Sequence, residues 1–142
     1  MCGLFGSIGH HIEKEQLQTV FAALKHRGPD EEGMYFSPNG DVVLGHVRLS
    51  IIDLNSGKQP IFNEDKSLVV ICNGELYDFE KIRRDLTQKG HHFSTLSDSE
   101  IILHLYEEYN HQMYQYLRGE FAFILFDLKN SQTEKIPKAV NT

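Results

Sequence analysis

The sequence predicts an α+β fold, and three observations carry that prediction. Strand-like runs stand on both sides of a central pair of helices. Some of those runs are continuously apolar and others mix polar with apolar residues, so some strands are covered on both faces and others on one. No internal repeat or low-complexity stretch breaks the 142 residues, a length that suits one domain with its own core.

The elements are taken in chain order. Cys2 to Ile8 is short, apolar and punctuated by Gly3 and Gly6, which predicts a strand at the N-terminus. Leu17, Val20, Phe21 and Leu24 recur at helical spacing, and Gly28-Pro29 ends that helix. Gly33 to Ser37 reads as a short strand closed by the turn Pro38-Asn39-Gly40. Val42 to Leu49 reads as a longer strand, with Leu44, His46 and Arg48 on one face and Val43, Gly45, Val47 and Leu49 on the other. Leu68 to Cys72 is a continuous apolar run suited to a strand covered on both sides. Asp78 can cap the next helix, which turns Phe79, Ile82 and Leu86 inward and stops at Gly90. Ser97-x-x-Glu100 has capping-box spacing and opens a helix with the inward stripe Ile101, Ile102, Leu105, Tyr106 and Tyr109. A helical turn around Met113 to Leu117 precedes a strand over Phe121 to Leu128. Residues 129–142 are polar, carry Pro137 and show no period, so an irregular tail is expected after a domain over 1–128.

Composition narrows the function classes. Lys and Arg number 14 against 20 Asp and Glu, a formal charge of −6. With no basic run, nucleic acid and anionic membranes are not the expected partners. The longest apolar run, Phe121 to Phe126, falls far short of the roughly 20 residues a spanning helix needs. No basic segment followed by an apolar one opens the chain, so no signal peptide is expected. Cys2 and Cys72 are the two cysteines; they form neither a disulfide framework nor a CxxC metal pair, and a reducing, cytoplasmic setting is expected.

Four places can carry chemistry. Initiator Met is removed before a small residue, so Met1-Cys2-Gly3 predicts a mature N-terminal Cys. Its own α-amine, of pKa about 7.7–8.0, could take the proton of a thiol that is otherwise only a few per cent thiolate at neutral pH. The other reading is a small buried residue that happens to stand second. Asn73-Gly74 suits a type I′ hairpin turn. Glu75 to Arg84, however, reads as the approach to a helix rather than a returning strand, and a side-chain amide beside a glycine N–H could form an oxyanion site. Arg48, in an otherwise apolar strand, needs a carboxylate. Either an internal acidic residue or a bound substrate, held in a bidentate contact, would supply it. Asp98, just inside a helix start, either stabilises the helix dipole or holds a substrate ammonium. Glu100, His104, Glu107 and His111 lie along one helix face. They are read as a solvated face, and neither His10-His11 nor His91-His92 has ligand spacing; no metal site is expected.

Several stretches occur together in a known order. They are Met1-Cys2-Gly3-Leu4-Phe5-Gly6, His26-Arg27-Gly28-Pro29-Asp30, Gly45 to Leu54 with Gln59-Pro60 behind it, Asn73-Gly74-Glu75-Leu76-Tyr77, Ser97 to Leu103, and Gly119-Glu120-Phe121-Ala122-Phe123. From residue 1 to about Leu128 the sequence resembles the class II glutamine amidotransferases. Arg48-Leu49-Ser50-Ile51-Ile52-Asp53 points, within them, to the glutaminase domain of glutamine-hydrolysing asparagine synthetases. The resemblance implies an N-terminal nucleophile fold, an αββα sandwich of two antiparallel sheets between helix layers. It implies glutamine hydrolysis to glutamate and ammonia through a thioester on Cys2, serving amide transfer as in asparagine biosynthesis. Arg48 would bind the glutamine α-carboxylate, Asn73 and Gly74 would form the oxyanion hole, and Glu75 and Asp98 would hold the rest of the substrate, Asp98 its α-ammonium.

Two departures stand out. Asp78 replaces the family's more frequent Asn. After the Phe121 strand, Ser131 to Lys138 stand where the family continues with a further strand and an Arg-Asp-x-x-Gly segment. A C-terminally truncated sandwich is therefore expected, with a sheet edge or apolar surface beside Phe121 to Leu128 left uncovered or covered by another copy. No cofactor is expected, because ATP would belong to a synthetase domain that these residues do not include. The implied partners are L-glutamine and either a separate synthetase chain or further copies of this one. The alternative to an active glutaminase is a non-catalytic module that binds glutamine or another protein.

Overall fold

The computed structural model describes residues 2–50, 57–130 and 132–135. Met1, the Ile51 to Leu54 part of the motif and the chain end from Ile136 lie outside the described residues. In order, the elements are β1 (Gly3–Ile8), α1 (Lys14–Leu24), β2 (Glu31–Phe36), β3 (Val42–Arg48), β4 (Ile61–Phe62), β5 (Leu68–Leu76), α2 (Phe79–Gln88), α3 (Ile101–Tyr109), β6 (Gly119–Asp127) and β7 (Gln132–Lys135). One sheet has the order β1-β3-β2 and the other β4-β5-β6-β7. Every pairing is antiparallel.

The alternation of side chains along β3 and β5 builds the layers. On β3, Val43 and Val47 face α1 and pack on Leu17 and Phe21. Val42 and Leu44 face the other way, onto Val69 and Ile71 of β5 and Phe126 of β6. On β5, Leu68, Val70, Cys72 and Leu76 turn outward against Leu86 of α2 and Ile101, Ile102 and Leu105 of α3. The order is therefore helix, sheet, sheet, helix, with β5 buried on both faces as its unbroken apolar run predicts.

Local chemistry departs from the sequence reading in four places. Asp78 does precede α2, but at φ 60° its side chain makes no capping bond; its carboxylate pairs instead with Arg118 at 3.0 Å. Only half of the Ser97-x-x-Glu100 box forms: Ser97 Oγ accepts the Ser99 N–H at 3.2 Å. Glu100 turns back to Ser94 and Thr95, accepting both backbone N–H groups and both hydroxyls at 2.6–3.0 Å. Glu100 and His104 are 1% and 0% exposed, so the face read as solvated is partly interior. A buried carboxylate with four donors is satisfied, which periodicity cannot reveal.

The tail is the fourth. Residues 132–135 form β7, paired to Ile124–Asp127 of β6, where an irregular tail is expected from sequence. A four-residue polar strand has too few residues to show a period, and its pairing is supplied by the open edge of β6. Phe123, Leu125 and Phe126 of β6 are buried within this chain, whereas Phe121, Ala122 and Ile124 are half-buried, and β7 pairs with β6 over Ile124–Asp127 alone.

Candidate active site

The ends of the two sheets meet in a cleft of about 700 Å³, within the range of small-molecule sites. Cys2, Arg48, Gly74, Glu75 and Asp98 all line it, although they come from separate stretches of chain.

Cys2 stands immediately before β1 and is half-buried. Its carbonyl accepts a hydrogen bond from Arg27 Nε at 3.1 Å. From the same loop, the Asp30 N–H donates to the Arg48 carbonyl at 3.0 Å and the Asp30 carboxylate accepts the Ser50 N–H at 2.6 Å. The His26 to Asp30 motif therefore ties the start of β1 to the end of β3.

Arg48 ends β3 opposite Glu31 of β2, and its Nη1 lies 3.1 Å from Glu31 Oε2. Of the two sequence readings of Arg48, the internal carboxylate is the one present here, and Arg48 also forms part of the cleft wall. The pair is partly screened, its side chains 13% and 28% exposed, so it orients the guanidinium more than it stabilises the fold.

Gln59 fixes the floor. Its Nε2 donates to the Cys72 carbonyl at 2.9 Å and its Oε1 accepts the Cys72 N–H at 2.5 Å. The segment reaches β5 by crossing β2 so closely that a Cβ on Gly33 would stand 1.8 Å from the Gln59 carbonyl. Only a glycine fits there.

Gly74 interrupts β5 with a φ of 131°, and a Cβ on it would stand 2.0 Å from the Glu120 carbonyl across the ladder. Asn73-Gly74 is thus not a hairpin turn: β5 runs on to Leu76, paired with β6 throughout. Asn73 is half-buried and lies outside the cleft lining. It shares the parity of Val69 and Ile71, which face the other sheet.

Asp98 opens a 3-10 turn over Asp98–Glu100, and its Oδ2 accepts the Leu76 N–H at 2.8 Å. This bond sets a carboxylate at the end of β5, in the cleft wall that Arg48 also lines. A cation and two carboxylates, Arg48 with Asp98 and Glu75, therefore border one cleft, an arrangement matched to a zwitterionic ligand.

The two thiols differ. Burial pushes the Cys72 thiol up to about 12, a Ser99 hydrogen bond opposing and the Asp98 and Cys2 charges adding. Cys72 is a thiol at neutral pH, so the half-buried Cys2 is the candidate nucleophile in this cleft.

Among the described residues the His, Cys, Asp and Glu donors close enough to share a metal ion lie away from the cleft, at His91, His104 and Glu107. No helix among the described residues is long and apolar enough to cross a membrane.

A glutamine amidotransferase domain model matches residues 1–135. The chain belongs to the glutamine amidotransferase domain family. Within it, the chain is 44% identical over 135 residues to asparagine synthetase [glutamine-hydrolyzing] 1 of Arabidopsis thaliana, covering 92% of this chain and 22% of that protein. It is 42% identical to the asparagine synthetase [glutamine-hydrolyzing] of Sandersonia aurantiaca, covering 25% of that protein. This amidotransferase domain thus spans about a quarter or less of the length of these relatives. The fold is shared with the glutamine phosphoribosylpyrophosphate amidotransferase from B. subtilis, with a TM-score of 0.74 at 20% identity over 90% of this chain and 35% of that one. The domain is thus an αββα sandwich of the same fold as that amidotransferase.

Arg27, Asp30 and Gln59 are positioning residues that sequence reasoning leaves without a role. All three lie in the matched motifs, which is the signal the sequence offers. Their side chains hold backbone groups of Cys2, Ser50 and Cys72, and a side chain's backbone partner is not written in its own residue type.

Proposed function

We propose that this domain hydrolyses the side-chain amide of L-glutamine, with Cys2 as nucleophile once Met1 is removed, and supplies ammonia for amide transfer as in asparagine synthesis. The observation that carries the reading is the convergence of Cys2, Arg48, Gly74, Glu75 and Asp98 on one cleft.

Those groups supply the chemistry. The α-amine of Cys2 takes the thiol proton as Sγ attacks the amide carbon. The carbonyl oxygen becomes an oxyanion, which the Gly74 N–H receives as donor. The amine returns its proton to the leaving nitrogen, ammonia departs and a γ-glutamyl thioester remains. Water attacks the thioester, the thiol is regenerated and glutamate leaves. Arg48 holds the substrate α-carboxylate in a charge-assisted contact. Asp98 holds the α-ammonium, and Glu75 completes the polar wall.

The test compares Met1-cleaved and Met1-retained protein, each identified by intact mass, for glutamate and ammonia released in equal amounts from glutamine. Retained Met1 turns the Cys2 amine into an amide, which is not basic. The expected loss is the general-base contribution, about 10²–10⁴-fold in turnover, with Cys2→Ala as the blank. Equal rates in the two forms would overturn the amine as base. Glutamine binding with no turnover in the cleaved form would replace the enzyme reading with a binding module.

A further inference from the structure

Away from the cleft, where the chain passes from α2 to α3, three side chains converge. His91 Nδ1 lies 3.1 Å and His104 Nδ1 2.8 Å from the same oxygen, Glu107 Oε2. The ligand atoms of all three lie within 4.8 Å of one another. His104 and Glu107 stand three apart on α3 and so share a face, while His91 reaches them from the loop after α2.

Two of these groups are also held from behind. His91 Nε2 is 2.8 Å from Glu108 Oε1. Glu107 Oε1 accepts from Asn63 Nδ2 at 2.6 Å. His104 Nε2 makes no hydrogen bond among the described residues and faces Glu100 Oε1 only at ion-pair distance, 3.7 Å. Outer partners that orient the far nitrogen of an imidazole or the far oxygen of a carboxylate are what metal ligands require.

We propose that His91, His104 and Glu107 bind one divalent transition-metal ion of the zinc class. Two imidazole nitrogens and one carboxylate oxygen suit zinc, whereas magnesium and calcium favour all-oxygen sites. Zinc bonds of about 2.0–2.1 Å set tetrahedral donors roughly 3.3–3.4 Å apart. Glu107 Oε2 would recede from the ring nitrogens by about 0.2–0.6 Å, and the ligand nitrogens of His91 and His104, which lie within 4.8 Å of each other, would draw together onto the ion. His104 is buried, but the His91 and Glu107 side chains are 14% and 24% exposed, which leaves an entry path and a solvent-facing position for a fourth ligand. The ion would brace the loop from His91 to Ser97, whose Leu96 and Ser97 form part of the cleft wall. It takes no part in the chemistry at Cys2.

The whole chain, stripped of metal, is titrated with Co²⁺ and then Zn²⁺. One equivalent of Co²⁺ should give the visible d–d bands of a low-coordinate site, without a thiolate-to-cobalt band, and one equivalent of Zn²⁺ should bleach them. His91→Ala and Glu107→Gln should abolish the bands. Glu108→Gln, which removes only the outer partner of His91, should weaken affinity by about 10–100-fold. His10→Ala should change nothing. Far-UV circular dichroism checks each fold; if Glu107→Gln does not fold, His91→Ala decides alone, since it alters a loop side chain outside the core. No stoichiometric cobalt, a thiolate band that places the ion on Cys2 or Cys72, or d–d bands that survive His91→Ala would each overturn the site and leave the cluster a hydrogen-bonded network.

Discussion

Replacing Gly74 with Ala tests the backbone geometry and the proposed oxyanion donor in one protein. At φ 131°, with a Cβ placed 2.0 Å from the Glu120 carbonyl and 2.6 Å from Phe121 Cα, the new methyl must push β5 and β6 apart by more than about 1 Å to reach ordinary contact. The left-handed backbone costs an L-residue about 1–2 kcal/mol. Loss of one or two ladder hydrogen bonds adds about 0.5–1.5 kcal/mol each. The expected destabilisation is about 2–4 kcal/mol, a fall in Tm of roughly 5–15 °C for a domain of this size. Displacing the Gly74 N–H from the oxyanion also costs about 10²–10³-fold in kcat. Gly119→Ala is the control: φ is 142° and its Cβ would stand 2.0 Å from the Glu75 carbonyl, the same clash across the same ladder from a glycine outside the cleft lining. Melting curves and glutaminase rates are measured for both at a temperature where both remain folded. A Gly74→Ala melting point within about 2 °C of wild type would refute the backbone account. Equal kcat losses in the two variants would refute the donor role.

The site yields two further outcomes. Burial lowers His46 to about 4, with the Cys72 backbone opposing, Arg48 lowering and Glu31 raising it. Its neutral form is the folded form, so its contribution is complete above the unfolded value near 6.5 and is lost as pH falls from there towards 4, at up to about 1.4 kcal/mol per pH unit. Urea midpoints of wild type and His46→Asn between these limits should diverge, and parallel slopes would refute the assignment. Glu31→Gln, which loosens a partly screened pair, should raise KM for glutamine about 2–5-fold with kcat kept. Arg48→Ala, which removes the cation, should raise KM about 10–100-fold; an unchanged KM would remove Arg48 from the substrate site.

The layers of the fold were legible because each rests on a periodicity the chain states locally. Leu17 and Phe21 mark the stripe of α1, and Val69 to Cys72 mark a strand covered twice. What escaped was set by partners elsewhere. β4 is two residues long and β7 four, and both exist because β5 and β6 offer them edges. His104 belongs to a face that reads as polar, yet it is interior because Phe93 packs edge-to-face against it at 4.4 Å and Glu100 is satisfied by a loop. A polar residue is placed inside by its partners, and those lie outside any helical period.

The cleft repeats this division at finer scale. The residues that face it were legible through the ordered motifs, and the contacts that hold them were not. Arg27 reaches Cys2 across 25 positions, Gln59 reaches Cys72 across 13, Asp98 reaches Leu76 across 22 and Glu31 meets Arg48 across 17. Each of these bonds joins a loop or an adjacent strand to β3, to β5 or to the residue just before β1, and these carry cleft groups. Bonds to the backbone cannot be replaced by changing the residue they hold, so a loss at Arg27, Gln59 or Asp98 would shift Cys2, Cys72 or the β5 end as a unit. A displacement of about 1 Å at a reacting centre is enough to cost about 10²-fold in rate. The positioning loops are therefore as much a condition of the proposed chemistry as the side chains in the cleft. This accounts for why His26 to Asp30 and Gln59-Pro60, which carry no nucleophile, base or oxyanion donor, stand among the matched motifs.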